Sequence, residues 1–375
     1  MKIDRVEVLA VGPEVQRVTW FEGLPEQFMT NTVVRIYTDD GLEGVGGVSN
    51  YTSYDFDRYT IETLRHMIPA LIGLDPLDIG AIWDRLWTRV FPLAPQALGA
   101  IDVALWDLKA KHAGLPLYRA LGGQRQRIPA YASTPLLADV PTYLRFIDEM
   151  IDQGFRAVKF HCWCVPDKDR ALIRAVRRAY PGDEITFMLD AENSYAFDDA
   201  LEIARELSDL GFEWLEAPLW DADRDGYRRL NAAVDVDIIP AGNWIQDQAA
   251  FRHAAETGCW SRARTDVTIA GGFTPARRYH ATAAAAGLKC EVLSWGNTLV
   301  AAANLHLMLS DDLCSYFEQA VPYAAYEYGM FETIRTGSDG YVNAPQGPGL
   351  GFEVDWPAME KAAIHRLDTR TIGAP

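Results

Sequence analysis

Residues 157–164 read AVKFHCWC. Two apolar residues lead into Lys159, Phe160 and His161, and on a strand Lys159 and His161 project from the same face. A basic pair at the end of an apolar run asks for something acidic to face, and similar runs along the chain end in such groups. These are IPAYAS (128–133), ITFMLDA (185–191), EWLEAP (213–218), DIIPAGN (237–243), RARTDVT (262–268), KCEVLS (289–294) and SYFEQ (315–319). Between them lie helical stretches such as YLRFIDEMIDQG, DDALEIARELSDLG and TPARRYHATAAAAG, each closing on a glycine as a helix does before an αβ turn. Eight strands alternating with helices predict an α/β fold, a (β/α)8 TIM-type barrel. The polar residues near the strand ends support it. Lys159, Asp190, Glu216, Asn243 and Asp266 follow one another at 31, 26, 27 and 23 residues, and Glu318 lies 52 further on, two units of 26. A barrel of about 250 residues allows about 31 per βα unit, and its active site forms at those strand ends. Lys159 and His161 are thus expected at the barrel mouth, facing a ring of carboxylates.

Outward from the barrel the pattern changes. Residues 2–11 and 31–48 alternate as strands around TDDGLEG (38–44), a hairpin turn, and residues 58–122 read as helices. This predicts an N-terminal α+β capping domain over 1–125, a barrel domain over 126–325 and a C-terminal segment, 326–375, too rich in turn residues for another barrel unit and expected to fold back over the capping domain.

The 375 residues carry 35 basic and 52 acidic side chains, a formal charge of −17. That argues against nucleic acid or an anionic membrane surface as partner. A small anionic substrate stays open, because a bound cation reverses the sign locally. The chain has no run of about 18 apolar residues, and its start, MKIDRVEVLA, reads as a strand rather than a leader. Five cysteines, an odd number without a paired framework, read as reduced thiols of a cytoplasmic protein.

Asp190, Glu216 and Asn243, from three successive strand ends, offer hard oxygen donors suited to Mg²⁺. Each alone could be a solvated loop residue or a helix cap; three in register favour a metal site. Lys159 beside such a cation becomes a candidate base, with a salt bridge across the barrel as the plainer alternative. His161 could serve as base, acid or hydrogen-bond donor. His66, His112, His253, His280 and His306 fall inside amphipathic helices and read as structural.

ALGAIDVALWDLKAKHAGLPLYRALGG (97–123), LDAEN (189–193), WLEAP (214–218) and QGPGLGFEVD (346–355) occur in an order that resembles the mandelate racemase / muconate lactonizing enzyme group of the enolase superfamily. The resemblance covers essentially the whole chain. It implies a capping domain over a barrel, and abstraction of the proton α to a carboxylate with Mg²⁺ holding the enediolate, the chemistry of enolase-superfamily sites. It places Asp190, Glu216 and Asn243 as metal ligands, Lys159 and His161 at the Lys-x-Lys pair, Asp266 at the sixth-strand aspartate, and Glu318 as a hydrogen-bond donor to the substrate carboxylate. Trp20 and Glu22 in the first loop, Tyr51 and Tyr54 in the next, and Trp295 are expected to bind substrate at the mouth.

Three departures shape the expected reaction. Asn243 stands where an acid is usual, His161 replaces a lysine, and Leu293 occupies the place of the histidine that normally pairs with Asp266. With an evident base on one face only, dehydration of a sugar acid to a 2-keto-3-deoxy acid is the first reading, with Lys159, the deeper residue, as α-proton base and His161 protonating the leaving hydroxyl. An epimerase, racemase or cycloisomerase acting on a carboxylate is the second, and a non-catalytic metal- or sugar-acid-binding relative the third. A homo-oligomer is expected.

Overall fold

The computed structural model describes residues 1–372 except 13, 14, 16, 53–56, 91–93 and 244–246. The first three strands, β1 (Ile3–Val11), β2 (Phe28–Thr38) and β3 (Glu43–Thr52), form an antiparallel meander. In the β2–β3 hairpin turn Thr38 Oγ1 donates to the carboxylate of Asp40. Eight further strands then alternate with helices: β4 (Arg127–Ser133), β5 (Ala157–His161), β6 (Thr186–Asp190), β7 (Trp214–Glu216), β8 (Asp237–Ile239), β9 (Arg262–Thr265), β10 (Lys289–Val292) and β11 (Phe317–Ala320). All eight match runs read from the sequence.

β4 to β8 pair in parallel and in order, β11 pairs in parallel with β4, and β9 pairs in parallel with β10. The two remaining seams are crossed by hydrogen bonds that include Ser261 N to Ile238 O (3.0 Å) and Cys290 N to Leu313 O (3.1 Å). An eight-stranded parallel β/α barrel results. Asp139, Asp223, Asp247 and Asn297 cap the N-termini of helices around it, each accepting from a backbone N–H three residues on. The helices Phe197–Asp209 and Phe273–Ala285 are followed by Gly211 and Gly287, at φ +66° and +74°, the left-handed conformation that ends a helix at least cost in glycine.

The barrel interior is layered. Near the N-terminal ends of the strands Arg262 pairs with Glu213, Asp237 and Glu291. An apolar layer of Tyr131, Ala157, Met188, Trp214 and Ile239 follows, with Tyr316 against it. The site lies beyond, towards the C-terminal ends.

The C-terminal segment divides. β12 (Tyr341–Asn343) runs antiparallel beside β4 of the barrel, while β13 (Ala363–Asp368) crosses to the first sheet and pairs with β1, giving the order β13-β1-β2-β3. The C-terminal segment thus reaches both the first sheet and the barrel. The helix Pro95–His112 lies between the two halves. A Cβ on Gly44 or Gly46 would come within 2.2 Å of a carbonyl of this helix, so glycine is what lets β3 and the helix touch. Its Asp107 accepts from Val45 N (2.8 Å) and Leu350 N (2.7 Å), and its Asp102 from Thr274 N (3.1 Å) and Thr274 Oγ1 (2.6 Å). One helix thus binds the first sheet, the C-terminal segment and the barrel.

Candidate active site

The pleat of β5 sends Lys159 and His161 to the interior, in register with Met188 and Asp190 of β6, and Asp190 in turn lies beside Glu216 of β7. Lys159 is 1% exposed, and its Nζ pairs with Asp190 Oδ2 (2.8 Å), Glu216 Oε1 (2.9 Å) and Glu318 Oε1 (2.8 Å). Burial works against its charge, but the three carboxylates outweigh that, so its pKa rises well above the usual lysine value. All three ammonium hydrogens have acceptors. Asp190 is held low in the same exchange: burial pushes its pKa up, and the Lys159 charge pulls it below the carboxylate range.

His161 is one strand-step further out. Its Nδ1 meets the carbonyl of Thr134, which can only accept, so Nδ1 carries the hydrogen and Nε2 faces the cavity. Nε2 lies 3.3 Å from Asp190 Oδ2 and 3.2 Å from Glu192 Oε1. Trp295 packs edge-on against the imidazole at 5.3 Å between ring centres.

Glu318 sits among donors in the barrel interior. Oε1 accepts from Ser133 Oγ (3.1 Å) and Trp295 Nε1 (3.1 Å), and Oε2 from Arg264 Nη2 (2.9 Å) and Ser294 N (3.3 Å). Burial raises its pKa, but Lys159 and Arg264 overcome that and hold it at about 2. Surrounded by donors, it accepts hydrogen bonds here and does not donate. Arg264, fully buried, also pairs with Glu216 Oε1 (2.9 Å). Sequence reasoning missed Arg264, although its two-residue spacing from Asp266 on the β9 run was the available signal.

Asp266 borders the cavity with both oxygens engaged. Oδ1 accepts from Thr268 N, Thr268 Oγ1 and Ile269 N (2.6–2.9 Å), and Oδ2 from Asn304 Nδ2 (2.8 Å). Leu293 lines the wall beside it.

These groups surround a cavity of about 210 Å³, bordered also by Asn243, Trp20, Tyr51, Ser49 and Glu192. Trp20 and Tyr51, from the capping half, meet Trp295 of the barrel at ring-centre distances of 5.7 and 6.2 Å. Glu22 is not part of this lining: it is half-exposed and its carboxylate pairs with Lys168. Tyr54 lies outside the described residues.

The donor set fits a divalent cation. Asp190 and Glu216 already converge on one positive centre, the Lys159 ammonium, and Glu216 Oε2 is buried with no hydrogen-bond partner among the described residues. A second grouping shares Asp190: ligand atoms of His161, Asp190 and Glu192 all lie within 4.8 Å of one another.

Two family models match the chain, the N-terminal domain of mandelate racemase / muconate lactonizing enzymes over residues 22–122 and the enolase C-terminal domain-like family over 142–358. The chain belongs to this group of the enolase superfamily, and it is an enzyme of that superfamily, whose members bind Mg²⁺. Among solved structures, a protein from Pseudovibrio sp. described as of the mandelate racemase/muconate lactonizing enzyme type is 42% identical, with a TM-score of 0.96 over 98% of each chain. The 3,6-anhydro-alpha-L-galactonate cycloisomerase of Streptomyces coelicolor is 28% identical over 347 residues, 88% of this chain and 91% of that one. The L-talarate/galactarate dehydratase of Salmonella typhimurium is 32% identical over 216 residues, 55% of this chain and 53% of that one. A mutant of that dehydratase, in a structure liganded with Mg and L-glucarate, has a TM-score of 0.88 at 24% identity over 98% of this chain and 93% of that one.

Proposed function

We propose that this enzyme dehydrates a sugar acid, removing the proton α to the carboxylate and expelling the β-hydroxyl to give, after tautomerisation, a 2-keto-3-deoxy acid. The observation that carries this reading is one-sidedness. His161 Nε2 enters the cavity from β5, while the opposite wall is built of Asp266, Thr268, Ile269 and Leu293 and offers no nitrogen base among the described residues. Asp266 is already committed to four hydrogen bonds. Racemisation needs acid/base groups on both faces of an enediolate; a syn elimination needs them on one.

Asp190, Glu216 and Asn243 are the residues assigned to Mg²⁺, which when bound supplies positive charge against the developing enediolate. The α-proton passes to His161 Nε2, and the same imidazolium returns a proton to the hydroxyl that leaves as water. This reassigns the α-base from Lys159, whose three ammonium hydrogens are all bound to carboxylates. Lys159 instead holds Asp190, Glu216 and Glu318 in place by its charge. Ring opening of a substrate whose β-oxygen belongs to an ether is the same bond cleavage, and the similarity to an anhydrosugar-acid cycloisomerase over 88% of the chain supports it as a second reading.

The test is incubation of a sugar-acid library with Mg²⁺ in D₂O. Keto acid should form, turnover should stop in excess EDTA and return with Mg²⁺, and His161→Asn should lower both dehydration and α-exchange by about 10²–10⁴-fold. α-Deuterated, racemised product without keto acid would overturn the dehydratase reading. Exchange that survives in His161→Asn and disappears in Lys159→Ala would return the α-base to Lys159.

A further inference from the structure

We propose that His161 Nε2, Asp190 and Glu192 form a second cation site beside the one assigned to Mg²⁺, suited to a borderline divalent ion such as Zn²⁺, and that filling it stops turnover. The site itself stands on geometry. That filling it stops turnover rests on His161 as the α-base of the reading above.

His161 Nε2 lies 3.2 Å from Glu192 Oε1 and 3.3 Å from Asp190 Oδ2, and the three atoms all fall within 4.8 Å of one another. Zn²⁺ bonded to imidazole nitrogen and carboxylate oxygen at about 2.0–2.2 Å in a tetrahedron holds neighbouring ligand atoms about 3.3–3.6 Å apart. Two sides of the triangle are close to that edge, and Glu192, the least buried of the three, closes the third by a side-chain adjustment. The atoms are also aimed. Thr134 O takes the hydrogen of Nδ1, so the lone pair of Nε2 points at two carboxylate oxygens. Electron-rich atoms turned on one point call for positive charge between them. In the elimination that charge is a passing proton; a metal ion is a lasting one.

The donor types set the ion. Mg²⁺ prefers oxygen throughout, which Asp190, Glu216 and Asn243 supply, whereas imidazole suits Zn²⁺, Ni²⁺ and Cu²⁺. Backbone holds the third ligand near: Glu192 N donates to Asp190 Oδ1 (3.1 Å), and Asn193 N to Ala217 O (2.7 Å). Lys159 stands 2.8 Å from the same Asp190 oxygen, but the carboxylates of Asp190, Glu192, Glu216, Asp266 and Glu318 border the cavity and outnumber the charges of Lys159 and Arg264 beside them. A Zn²⁺ on Nε2 occupies the lone pair that has to accept the α-proton.

The experiment titrates Zn²⁺ into the enzyme at saturating Mg²⁺, reading binding by calorimetry and, in parallel, the rate of keto-acid formation. Wild type should bind Zn²⁺ and lose turnover in step with occupancy. Glu192→Gln and, independently, His161→Asn should weaken Zn²⁺ binding at least about 10-fold and change Mg²⁺ affinity far less. Cu²⁺ bound in the same site should show nitrogen splitting in its electron paramagnetic resonance spectrum that disappears in His161→Asn. Zn²⁺ affinity unchanged in whichever of the two variants folds would overturn the site. So would a loss in Asn243→Ala as large as in Glu192→Gln, since the ion would then be standing in for Mg²⁺. Binding with the expected dependence but undiminished turnover would overturn the inhibition and remove His161 as α-base. Failure of the dehydratase reading is distinct, because calorimetry and the Cu²⁺ spectrum need no substrate.

Discussion

His161 owes its orientation to one carbonyl. Because Thr134 O fixes Nδ1 as the donor, the reactive nitrogen is chosen by backbone beyond the end of β4 rather than by another side chain. Asn243 is the residue where the proposed metal site departs most from an all-acid set. Asn243→Asp adds a charge to it, and calorimetry should show tighter Mg²⁺ binding; unchanged or weaker affinity would remove Asn243 from the ligand set. Arg264 invites a different measurement. Replacing it by methionine leaves Glu216 and Glu318 short of a counter-charge in the barrel interior, and should lower unfolding stability in urea by about 3–5 kcal/mol. Much of this site was legible in the sequence, because side chains at strand ends inherit the βα period. Asn304 was not, since it reaches Asp266 from a helix 38 residues later in the chain, a packing fact with no local signature. Glu22 misled for a similar reason: a loop carboxylate carries no mark that Lys168 will claim it.

At the scale of elements, the helix Pro95–His112 is the most constrained. Its contact with β3 depends on the absence of a Cβ, and Gly46→Ala would set a methyl 2.2 Å from the Ala100 carbonyl. A loss of about 3 kcal/mol in unfolding free energy is expected. Asp102 on the same helix gives a pH signature. Burial raises its carboxyl from 3.8 to about 7, against the hydrogen bonds from Thr274. The folded state therefore holds this proton to higher pH than the unfolded chain, and the group favours folding less as pH climbs from about 4 to about 7. At about 1.4 kcal/mol per unit this approaches ~4 kcal/mol. Asp102→Asn should flatten stability across that window relative to wild type; parallel urea midpoints at pH 5 and pH 8 would show the Asp102 contribution to be absent. Alternation and turn chemistry made β1 to β3 and the barrel strands readable. β12 was not, because three residues inside a turn-rich stretch hold no period, and only the neighbouring β4 edge makes them a strand.

The whole molecule carries a charge of −17 and acts, on the present reading, on an anion. Long-range repulsion should slow encounter at low ionic strength, so kcat/KM is expected to rise about 2–5-fold from roughly 10 to 200 mM salt at fixed Mg²⁺. A fall over that range would mean that a local positive field dominates the approach. The arrangement of the first sheet has a consequence for synthesis. β1 is paired on its outer side by β13, more than 350 residues later. At about 5–20 residues per second, a ribosome leaves that edge of β1 open for roughly 20–70 s. During this time β1 and β2 can already pair, and an unpaired strand edge is a template for wrong partners. The newborn chain thus exposes an edge of β1 that β13 covers in the finished enzyme, and demand for a chaperone should concentrate on the first sheet.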